Sequence, residues 1–311
     1  MIDRAVTTRI DPEKCIGCGL CVQVCPSQTI SMVAEKAIVT GDNSLSCGHC
    51  AAVCPTEAIK VDAIDEAVFN FHSFETENRW LPPGQFPAPE LIRLMRSRRS
   101  CRNYSDRPVR RELLEDLVKA GISAPSGTNS QKWTFTILEN RQSCENLCEQ
   151  IGSFFQKLNR MAEKRWLRLA LKILGKKTLH NYYRDYYDSV EQGLTEWRQS
   201  GRDLLFHGAT AGIVVGSRPG ASCPAEDALL ATGNILLAAH AMGLGTCLVG
   251  FAVSAMQQAP ALNRFIGMAD DEVVYAVIAI GYSTEKYQGM AGRKKPVVRF
   301  FAGKETDADN G

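Results

Sequence analysis

The sequence has little net charge, few histidines and no long uncharged apolar run. Its formal charge is +2 over 311 residues, with five histidines. A balance this close to neutral argues against a general nucleic-acid binder, which carries a basic surface over a whole domain. The most apolar long stretch, 225–244, contains Glu226 and Asp227, so it predicts a buried helix rather than a membrane span. The first twelve residues lack the apolar core of a signal peptide.

Several common catalytic patterns are also missing. The histidines do not have metal-ligand spacing, no Ser/His/Asp arrangement is visible, and no G-x-G-x-x-G turn is present. These absences give no support to a hydrolytic triad or a dinucleotide-binding fold. Hydrophobic residues make up 45% of the chain, which is enough for a soluble globular protein of about two domains.

Cysteine is the residue type that the sequence does have in quantity. Of the 12 cysteines, seven fall in two runs, CIGCGLCVQVCPSQTI at 15–30 and SLSCGHCAAVCPTEAI at 44–59. The spacing of the first run before its proline is typical of bacterial iron–sulfur ferredoxins. The second run repeats the first in register, so two pseudo-symmetric halves are expected. Ser44 is the exception, because it stands where the repeat predicts a cysteine.

A zinc site and a disulfide framework are the alternatives for these cysteines. Paired C-x-x-C motifs also bind zinc, and dense cysteines also occur in secreted scaffolds. Neither alternative requires the third thiol, the fourth thiol before proline or the duplication. We therefore expect iron–sulfur clusters. Thiols that must stay reduced and metal-bound suit a cytoplasmic protein rather than an oxidising compartment.

Residues 1–65 resemble the two-cluster bacterial ferredoxins, in which the fourth cysteine of each run crosses to the other cluster. That rule assigns the first cluster to Cys15, Cys18, Cys21 and Cys54. It assigns the second cluster to Cys25, Cys47, Cys50 and position 44. The second cluster is expected to be 3Fe-4S, or 4Fe-4S with Ser44, another oxygen ligand or solvent on its fourth iron. An empty second site is the remaining alternative.

The composition changes beyond residue 65. Residues 66–89 contain scattered aromatic side chains and two proline-rich breaks, and they are predicted to form an interdomain linker anchored by its aromatics. Helical patterns follow at 89–95 and 111–120, with eight arginines between Arg93 and Arg111. Because these arginines are interleaved with Ser100, they favour phosphate binding over a solvated face or a nucleic-acid patch.

Four motifs follow along the chain: RRSCRNY at 98–104, APSGTNSQKW at 124–133, GLGTCLVGF at 243–251 and RKKP at 293–296. In this order they resemble the FMN-dependent nitroreductase family over roughly residues 90–300. The resemblance implies an α+β sandwich, with a central mixed sheet flanked by helices and FMN at a homodimer interface. The predicted organisation is a two-cluster ferredoxin domain at 1–65, a linker at 66–89 and a nitroreductase-like FMN domain at 90–311.

The same resemblance implies the FMN contacts. The phosphate and ribityl end is expected at Arg98, Arg99, Ser100 and Arg102, joined by Arg293 and Lys294. The turn residues Pro125, Ser126, Gly127 and Asn129 are expected to approach the flavin from the other subunit, and the backbone of Cys247, Leu248, Val249 and Gly250 to lie near the ring. Lys132 replaces the usual proline of the family. No catalytic side chain is expected, because FMN carries the chemistry, and the remaining cysteines are expected to pack.

Residues 141–205 match the family least and are predicted to form helices that cover the substrate. Within them, residues 163–177 combine basic side chains with Trp166 and several leucines. This pattern predicts an amphipathic helix on the protein body or at a dimer surface. A helix on a membrane surface is the alternative.

The combined prediction is an iron–sulfur flavoprotein oxidoreductase. Clusters pass electrons singly, whereas most organic acceptors take them in pairs, so a flavin that does both is the natural partner of a ferredoxin domain. Electrons are expected to reach a nitro compound, a quinone or an activated alkene. The alternatives are an electron-transfer module for a protein partner and a flavin-based redox sensor. The expected donor is reduced ferredoxin or NAD(P)H, and neither nucleic acid nor a membrane is an expected partner.

Overall fold

The N-terminal part of the computed structural model, which describes residues 4–302, contains two small antiparallel sheets. Its strands are β1 (Thr8–Ile10), β2 (Ile30–Val33), β3 (Lys36–Val39) and β4 (Ile59–Val61), and its helices are α1 (Leu20–Val24) and α2 (His49–Ala52). Strand β1 pairs with β4, and β2 pairs with β3. Each helix follows a left-handed glycine, Gly19 at φ 73° and Gly48 at φ 76°, a conformation that a Cβ would strain. The sequence repeat is therefore also a repeat of backbone geometry.

This N-terminal module has a small hydrophobic core. Ile30, Ala37, Ile59 and Val61 are buried together with several cysteines. A core of this size gives a chain of about 60 residues only marginal stability. Bound clusters are therefore expected to supply much of the folding free energy of the module, as structural metals do in other small domains.

The C-terminal part is a three-layer structure around a four-stranded sheet. Its strands are β5 (Trp133–Leu138), β6 (Ala211–Ser217), β7 (Gly245–Leu248) and β8 (Val273–Gly281). Its helices are α3 (Ala88–Ser97), α4 (Arg111–Ile122), α5 (Arg141–Glu163), α6 (Arg165–Ile173), α7 (Thr178–Asp185), α8 (Tyr187–Ser200), α9 (Pro224–Ala241), α10 (Gly250–Gln258) and α11 (Pro260–Phe265).

The strand order in this sheet is β5-β6-β8-β7, and each neighbouring pair is antiparallel. Beyond the regular strands, Ser100 adds a parallel bridge at the β7 edge. Side chains alternate between the two faces: Ile213 and Ile278 pack against α4 and α9, whereas Val214 and Val277 pack against α5 and α10. This layered arrangement confirms the predicted α+β class.

Helices α5 to α8 occupy most of residues 141–205. Arg141, at the start of α5, donates to the buried carboxylate of Asp203 over 2.7 Å. Asp203 also accepts the backbone N–H groups of Leu205, Phe206 and Gly208. Burial raises the pKa of Asp203, but the guanidinium and the N–H donors outweigh burial and lower it. The end of this helical region is thus fixed to its beginning.

The linker is held against the C-terminal domain by Asp116 on α4. Its buried carboxylate accepts the N–H of His72 at 2.8 Å and the N–H and hydroxyl of Ser73 at 2.8 and 2.6 Å. Lys119 adds an ion pair at 3.0 Å. Burial alone would raise the pKa of Asp116, but these donors outweigh it and hold the pKa at about 2. Trp80, at 78% exposure, is not an anchor, and the attachment at Asp116 is polar.

Replacing Asp116 with asparagine is expected to loosen the linker at neutral pH. The amide presents N–H groups to the donors of residues 72–73, and a buried donor left without an acceptor costs about 1–3 kcal/mol. Limited proteolysis at neutral pH with mass analysis should show several-fold faster cleavage within residues 66–87. Glu112→Gln, which changes an exposed carboxylate on the same helix, is the matched control and should leave the rate unaltered.

The same anchor predicts how protection depends on pH. An unfolded aspartate has a pKa of about 3.9, and Asp116 in the folded protein has a pKa of about 2. A lowered pKa stabilises the fold fully above about pH 4, and the effect is lost as the pH falls through about 2. Protection of the wild-type linker should therefore stay constant from about pH 8 to about pH 5. A decline in that range, or equal cleavage of both variants, would assign the anchor to other residues.

Candidate iron–sulfur and flavin sites

Two cavities in the N-terminal module separate the cysteines into the two predicted sets. One cavity is lined by Cys15, Cys18, Cys21 and Cys54, and the other by Cys25, Cys47, Cys50 and Ser44. Each set combines three positions of one run with the last cysteine of the other run. The fold therefore brings the predicted ligand positions together in the crossed arrangement that the repeat implies.

Backbone N–H groups donate to the sulfur atoms of three of these cysteines. Thr29 donates to Cys25 Sγ at 3.3 Å, and Ala58 donates to Cys54 Sγ at 3.2 Å, at equivalent places in the two halves. Burial raises the pKa of both thiols, but the N–H donors outweigh burial and lower it. The N–H of Ala37 likewise lowers the pKa of Cys15. Since the thiolate is the form that binds metal, the backbone favours the ligating state at these three positions.

The cysteines surround volumes rather than single points. A tetrahedral zinc site holds each sulfur about 2.3 Å from one ion. Between residues 4 and 302, no three His, Cys, Asp or Glu side chains converge on one point in that way. Thiolates that bind separate irons of one cluster must instead stand around the cluster. The cavities and their soft sulfur donors fit that arrangement.

Ser44 lies at the second cavity with 8% of its surface exposed. Its N–H donates to Arg4 O at 2.9 Å, and its Oγ accepts the N–H of Ser46 at 3.0 Å. The loop thereby fixes both the backbone and the hydroxyl of this residue. Oxygen is a harder ligand than thiolate, so the two cavities offer different donor sets.

The RRSCRNY motif at 98–104 lies beside the GLGTCLVGF motif at 243–251. Ser100 bridges to Thr246, and the N–H of Cys101 donates to Thr246 O at 2.9 Å. Burial raises the pKa of Cys247, and the charges of Arg102 and Arg98 oppose this rise. The segments 98–104 and 243–251 therefore form one surface, although they are distant in sequence.

The arginines of this motif have no carboxylate partners within the described chain, residues 4–302. This applies to Arg98, Arg99 and Arg102, whereas Arg111 in the same arginine-rich stretch pairs with two carboxylates. Unpaired guanidinium groups beside the Ser100 hydroxyl are suited to a phosphate dianion, which accepts several charge-assisted hydrogen bonds.

Among residues 4–302, no hydrogen bond or ion pair joins Arg293 or Lys294 to this motif. Both lie in the exposed irregular segment 286–302, where Arg293 donates to Gly292 O at 3.0 Å. The short basic motif gives no signal for the path of the chain after β8. Their role at the phosphate therefore stays a prediction.

The second motif forms the turn between α4 and β5. Asp227, in the first turn of α9, holds this turn: the N–H of Gly127 donates to Oδ1 at 2.7 Å, and Ser130 Oγ donates to Oδ2 at 3.1 Å. The carbonyl of Lys132 accepts the N–H of Arg218 at 2.9 Å, so this residue extends the β5–β6 pairing. The sequence does not identify Asp227 as the residue that holds this turn. Its only signal is an acidic residue at the start of an otherwise apolar helix.

Asn129 joins the same turn to the N-terminal module. Its Nδ2 donates to Leu45 O and to Ser46 O, each at 3.0 Å, and its Oδ1 accepts from Gln131 at 2.9 Å. Leu45 and Ser46 lie between Ser44 and Cys47 and line the second cavity. The turn predicted to approach the flavin therefore contacts the loop that carries predicted ligands of the second cluster.

Comparison with known families assigns both parts of the chain. A profile described as 4Fe-4S dicluster domain matches residues 8–61. A profile described as Nitroreductase family matches residues 95–282, which is more than half of the chain. The chain belongs to the nitroreductase family. It is an oxidoreductase in which the nitroreductase domain follows a 4Fe-4S dicluster domain.

Individual relatives are distant. A provisionally named NADH dehydrogenase/NAD(P)H nitroreductase of Archaeoglobus fulgidus is 25% identical over 197 residues, which are 63% of this chain and 87% of the relative. Iodotyrosine deiodinase 1 of Rattus norvegicus is 25% identical over 195 residues, 62% of each chain. The solved structure of an FMN-bound nitroreductase from Bacteroides fragilis covers 71% of this chain and 99% of its own, with 22% identity and a TM-score of 0.47.

Four of the five cysteines described in the nitroreductase domain are buried, as packing residues are. Cys101, Cys144, Cys148 and Cys247 are buried, and Cys223 is exposed. Burial raises the pKa of Cys144 to about 12 and also raises the pKa of Cys148 and Cys247. A thiol that stays protonated is a poor nucleophile, so Cys144, Cys148 and Cys247 do not offer a covalent mechanism.

A cavity of about 420 Å³ lies in the nitroreductase domain beneath α5 and α8. Its apolar lining includes Phe155, Leu194, Trp197 and Phe251. The rings of Phe155 and Phe251 meet edge to face, with centroids 5.8 Å apart. Phe251 directly follows Gly250, the last residue predicted near the flavin ring. A volume of this size and lining suits a small organic molecule.

Proposed function

We propose that this oxidoreductase passes electrons from two iron–sulfur clusters to FMN and then to an apolar organic acceptor such as a quinone, a nitroaromatic compound or an activated alkene. One observation carries the proposal: Asn129, in the predicted flavin turn, donates to both Leu45 O and Ser46 O in the ligand loop of the second cluster. Electron transfer slows steeply with distance, so a direct contact between these two loops is the arrangement that a cluster-to-flavin path requires.

The residues around the paired motifs fit FMN. Arg98, Ser100 and Arg102 would bind the phosphate, and the backbone of 247–250 would face the ring. A Cβ built on Gly250 meets nothing within 4 Å, so this backbone has open space beside it. Among the described residues, the buried indole N–H of Trp133 also lacks a hydrogen-bond partner. When bound there, FMN supplies the conversion between single electrons and hydride equivalents.

The two cavities would have different places in the electron path. The first cavity lies near the surface, because Cys18 is exposed and its neighbours Ile16 and Leu20 are exposed apolar side chains. That surface suits a docking electron donor. The second cavity contacts the flavin turn through Leu45 and Ser46. We therefore place the first cluster at the entry of the path and the second at its exit.

Exposed apolar side chains favour the homodimer that the family resemblance implies. Leu91, Ile92 and Met95 are exposed along α3, and the segment 297–301 exposes Val297, Val298, Phe300 and Phe301. Apolar surface of this extent on one protomer indicates a partner. In a two-fold dimer the turn at 125–129 would approach the flavin held by the arginines of the other subunit, so the clusters of one protomer would serve that flavin.

The apolar cavity is the proposed acceptor site. Phe155, Trp197 and Phe251 would hold a flat apolar molecule beside the predicted ring position and exclude water from it. Gly193 on α8 lines this cavity, and a Cβ built on it meets nothing within 4 Å. Gly193→Leu should therefore fill the cavity without a backbone clash. One extra or missing methylene group in such a pocket alters discrimination between substrates by about 10- to 200-fold.

The test is an anaerobic reduction of the purified protein, followed by turnover. NADH, NADPH and reduced ferredoxin are each added while cluster and flavin absorption bands are followed separately, and a panel of quinones and nitroaromatic compounds is then supplied. Gly193→Leu should raise KM for apolar acceptors at least about tenfold, with unchanged reduction of the flavin. Gln192→Leu, which adds the same side chain at an exposed neighbouring position, is the control.

The outcomes separate the candidate functions. Flavin that is reduced through the clusters but transfers electrons to none of the small acceptors would point to a protein partner instead. Turnover that Gly193→Leu leaves unchanged would place the acceptor outside this cavity.

A further inference from the structure

Helix α6 exposes an apolar face to solvent. Trp166 is 68% exposed, Leu169 57%, Ile173 77% and the adjoining Leu174 72%. Trp166, Leu169 and Ile173 follow helical spacing and therefore lie on one side of α6. Leu167 and Leu171 are half-buried where the helix packs against α5 and α7. The helix is thus apolar on two sides, and the protein covers only one of them.

This helix has a defined orientation. The guanidinium of Arg168 stacks 3.7 Å from the ring centroid of Tyr183 on α7 and also donates to Ala162 O at the end of α5. A cation over an aromatic ring adds an attraction to the packing of the leucines. The outward direction of Trp166 and Ile173 therefore follows from contacts on the opposite side of the helix.

Basic side chains surround the exposed apolar face. Residues 157–177 contain eight Lys or Arg and one acidic residue, Glu163. Glu163 accepts a hydrogen bond from Tyr187 at 2.8 Å. Among residues 4–302, no ion pair engages Lys164, Lys172, Lys176 or Lys177. On α7, Asp185 is already paired with Arg184. The local surface is strongly positive and includes an exposed tryptophan.

We propose that α6 docks the protein on the surface of a bilayer that contains anionic lipids. Trp166, Leu169 and Ile173 would enter the boundary between headgroups and acyl chains, and the surrounding lysines would contact lipid phosphates and carboxylates. The helix would lie in the plane of the interface. None of the helices within residues 4–302 is long and apolar enough to cross a bilayer. The proposal is independent of the flavin chemistry.

Charge favours an anionic lipid surface over a second copy of the chain as the partner of this apolar face. A two-fold contact through α6 would bring the same basic side chains of both copies together, and like charges at an interface are costly. An anionic lipid surface instead complements both the lysines and the apolar face. The sequence pattern favoured packing on the protein body, and the exposure of these side chains is what changes the assignment.

The experiment is co-sedimentation of the full-length holoprotein with vesicles of phosphatidylcholine alone or with about one-third phosphatidylserine. The wild type should bind the anionic vesicles at least about tenfold more tightly, and high salt should weaken that binding. Trp166→Ser combined with Ile173→Ser, and separately Lys172→Glu combined with Lys176→Glu, should each reduce binding about tenfold or more. Val33→Ser and Lys60→Glu change exposed residues elsewhere and are the matched controls.

Three results would overturn the proposal. The first is no binding of the wild type to anionic vesicles. The second is full binding by the Trp166/Ile173 double variant, because the surface would then act by charge alone. The third is a change of oligomeric state in that variant without vesicles, measured by light scattering, because a second copy would then cover the face. Unchanged cluster and flavin spectra in each variant show that the fold is intact.

Discussion

Replacing Arg98 or Arg102 with alanine is expected to lower FMN affinity at least about tenfold, because a hydrogen bond to a charged group contributes about 1.5–3 kcal/mol. Both residues flank Ser100 and Cys101, which pair with Thr246 beside the segment predicted to face the flavin ring, and neither guanidinium group has a carboxylate partner within residues 4–302. The phosphate would therefore lose a charge-assisted donor that no neighbouring side chain replaces. Titration of flavin-free protein with FMN, followed by flavin fluorescence, measures the affinity.

Arg110→Ala is the matched control for these variants. Arg110 belongs to the same arginine-rich stretch and is exposed at the start of α4, but it lies outside the 98–104 motif. It should change FMN affinity by less than about twofold. Equal losses at all three positions would mean that the stretch acts only as a charged surface.

Light scattering on the same samples tests the dimer, and a monomer with full flavin occupancy would contradict an interfacial site.

The elements with a strong local pattern could be predicted from the sequence. The apolar segment that begins at the last residue of the APSGTNSQKW motif is strand β5, Trp133–Leu138. The apolar stretch near 225–244 is helix α9, Pro224–Ala241. The crossed cysteine sets could also be predicted, because iron–sulfur ligation fixes the spacing of the thiols and the duplication fixes the partner run. In each case the information lies within a short window of the chain.

Contacts between distant segments have no such local pattern in the sequence. The bonds from Asn129 to Leu45 and Ser46 join a turn of one domain to a loop of the other, and neither segment has a periodicity that identifies its partner. In the sequence, Asp116 looks like an ordinary helix residue, and its contacts with the linker are seen only in the structure. The amphipathic pattern of α6 could be read from the sequence. Which part of its apolar surface the protein covers depends on the placement of α5 and α7.

Replacing Ser44 with cysteine is expected to make the second cluster several-fold more resistant to oxygen. In the wild type the second cavity offers three cysteine sulfurs and the Ser44 oxygen, and oxygen is a poorer match for an iron–sulfur cluster than thiolate. A 3Fe-4S cluster, or a 4Fe-4S cluster with a labile fourth iron, is therefore expected there. Anaerobic iron analysis should give about seven or eight irons per FMN, whereas about four would reject a second cluster.

The sequence repeat provides a reciprocal control for this experiment. Cys15 occupies the position in the first run that Ser44 occupies in the second, so Cys15→Ser should give the first cavity the donor set of the second. If ligand type determines lability, Ser44→Cys should remove the more oxygen-sensitive phase of cluster bleaching, and Cys15→Ser should make both phases sensitive. Electron paramagnetic resonance of the air-exposed protein assigns each phase to a cluster type. Sensitivity of the first cluster in Cys15→Ser, with no change in Ser44→Cys, would show that residue 44 does not face the metal despite its place in the repeat.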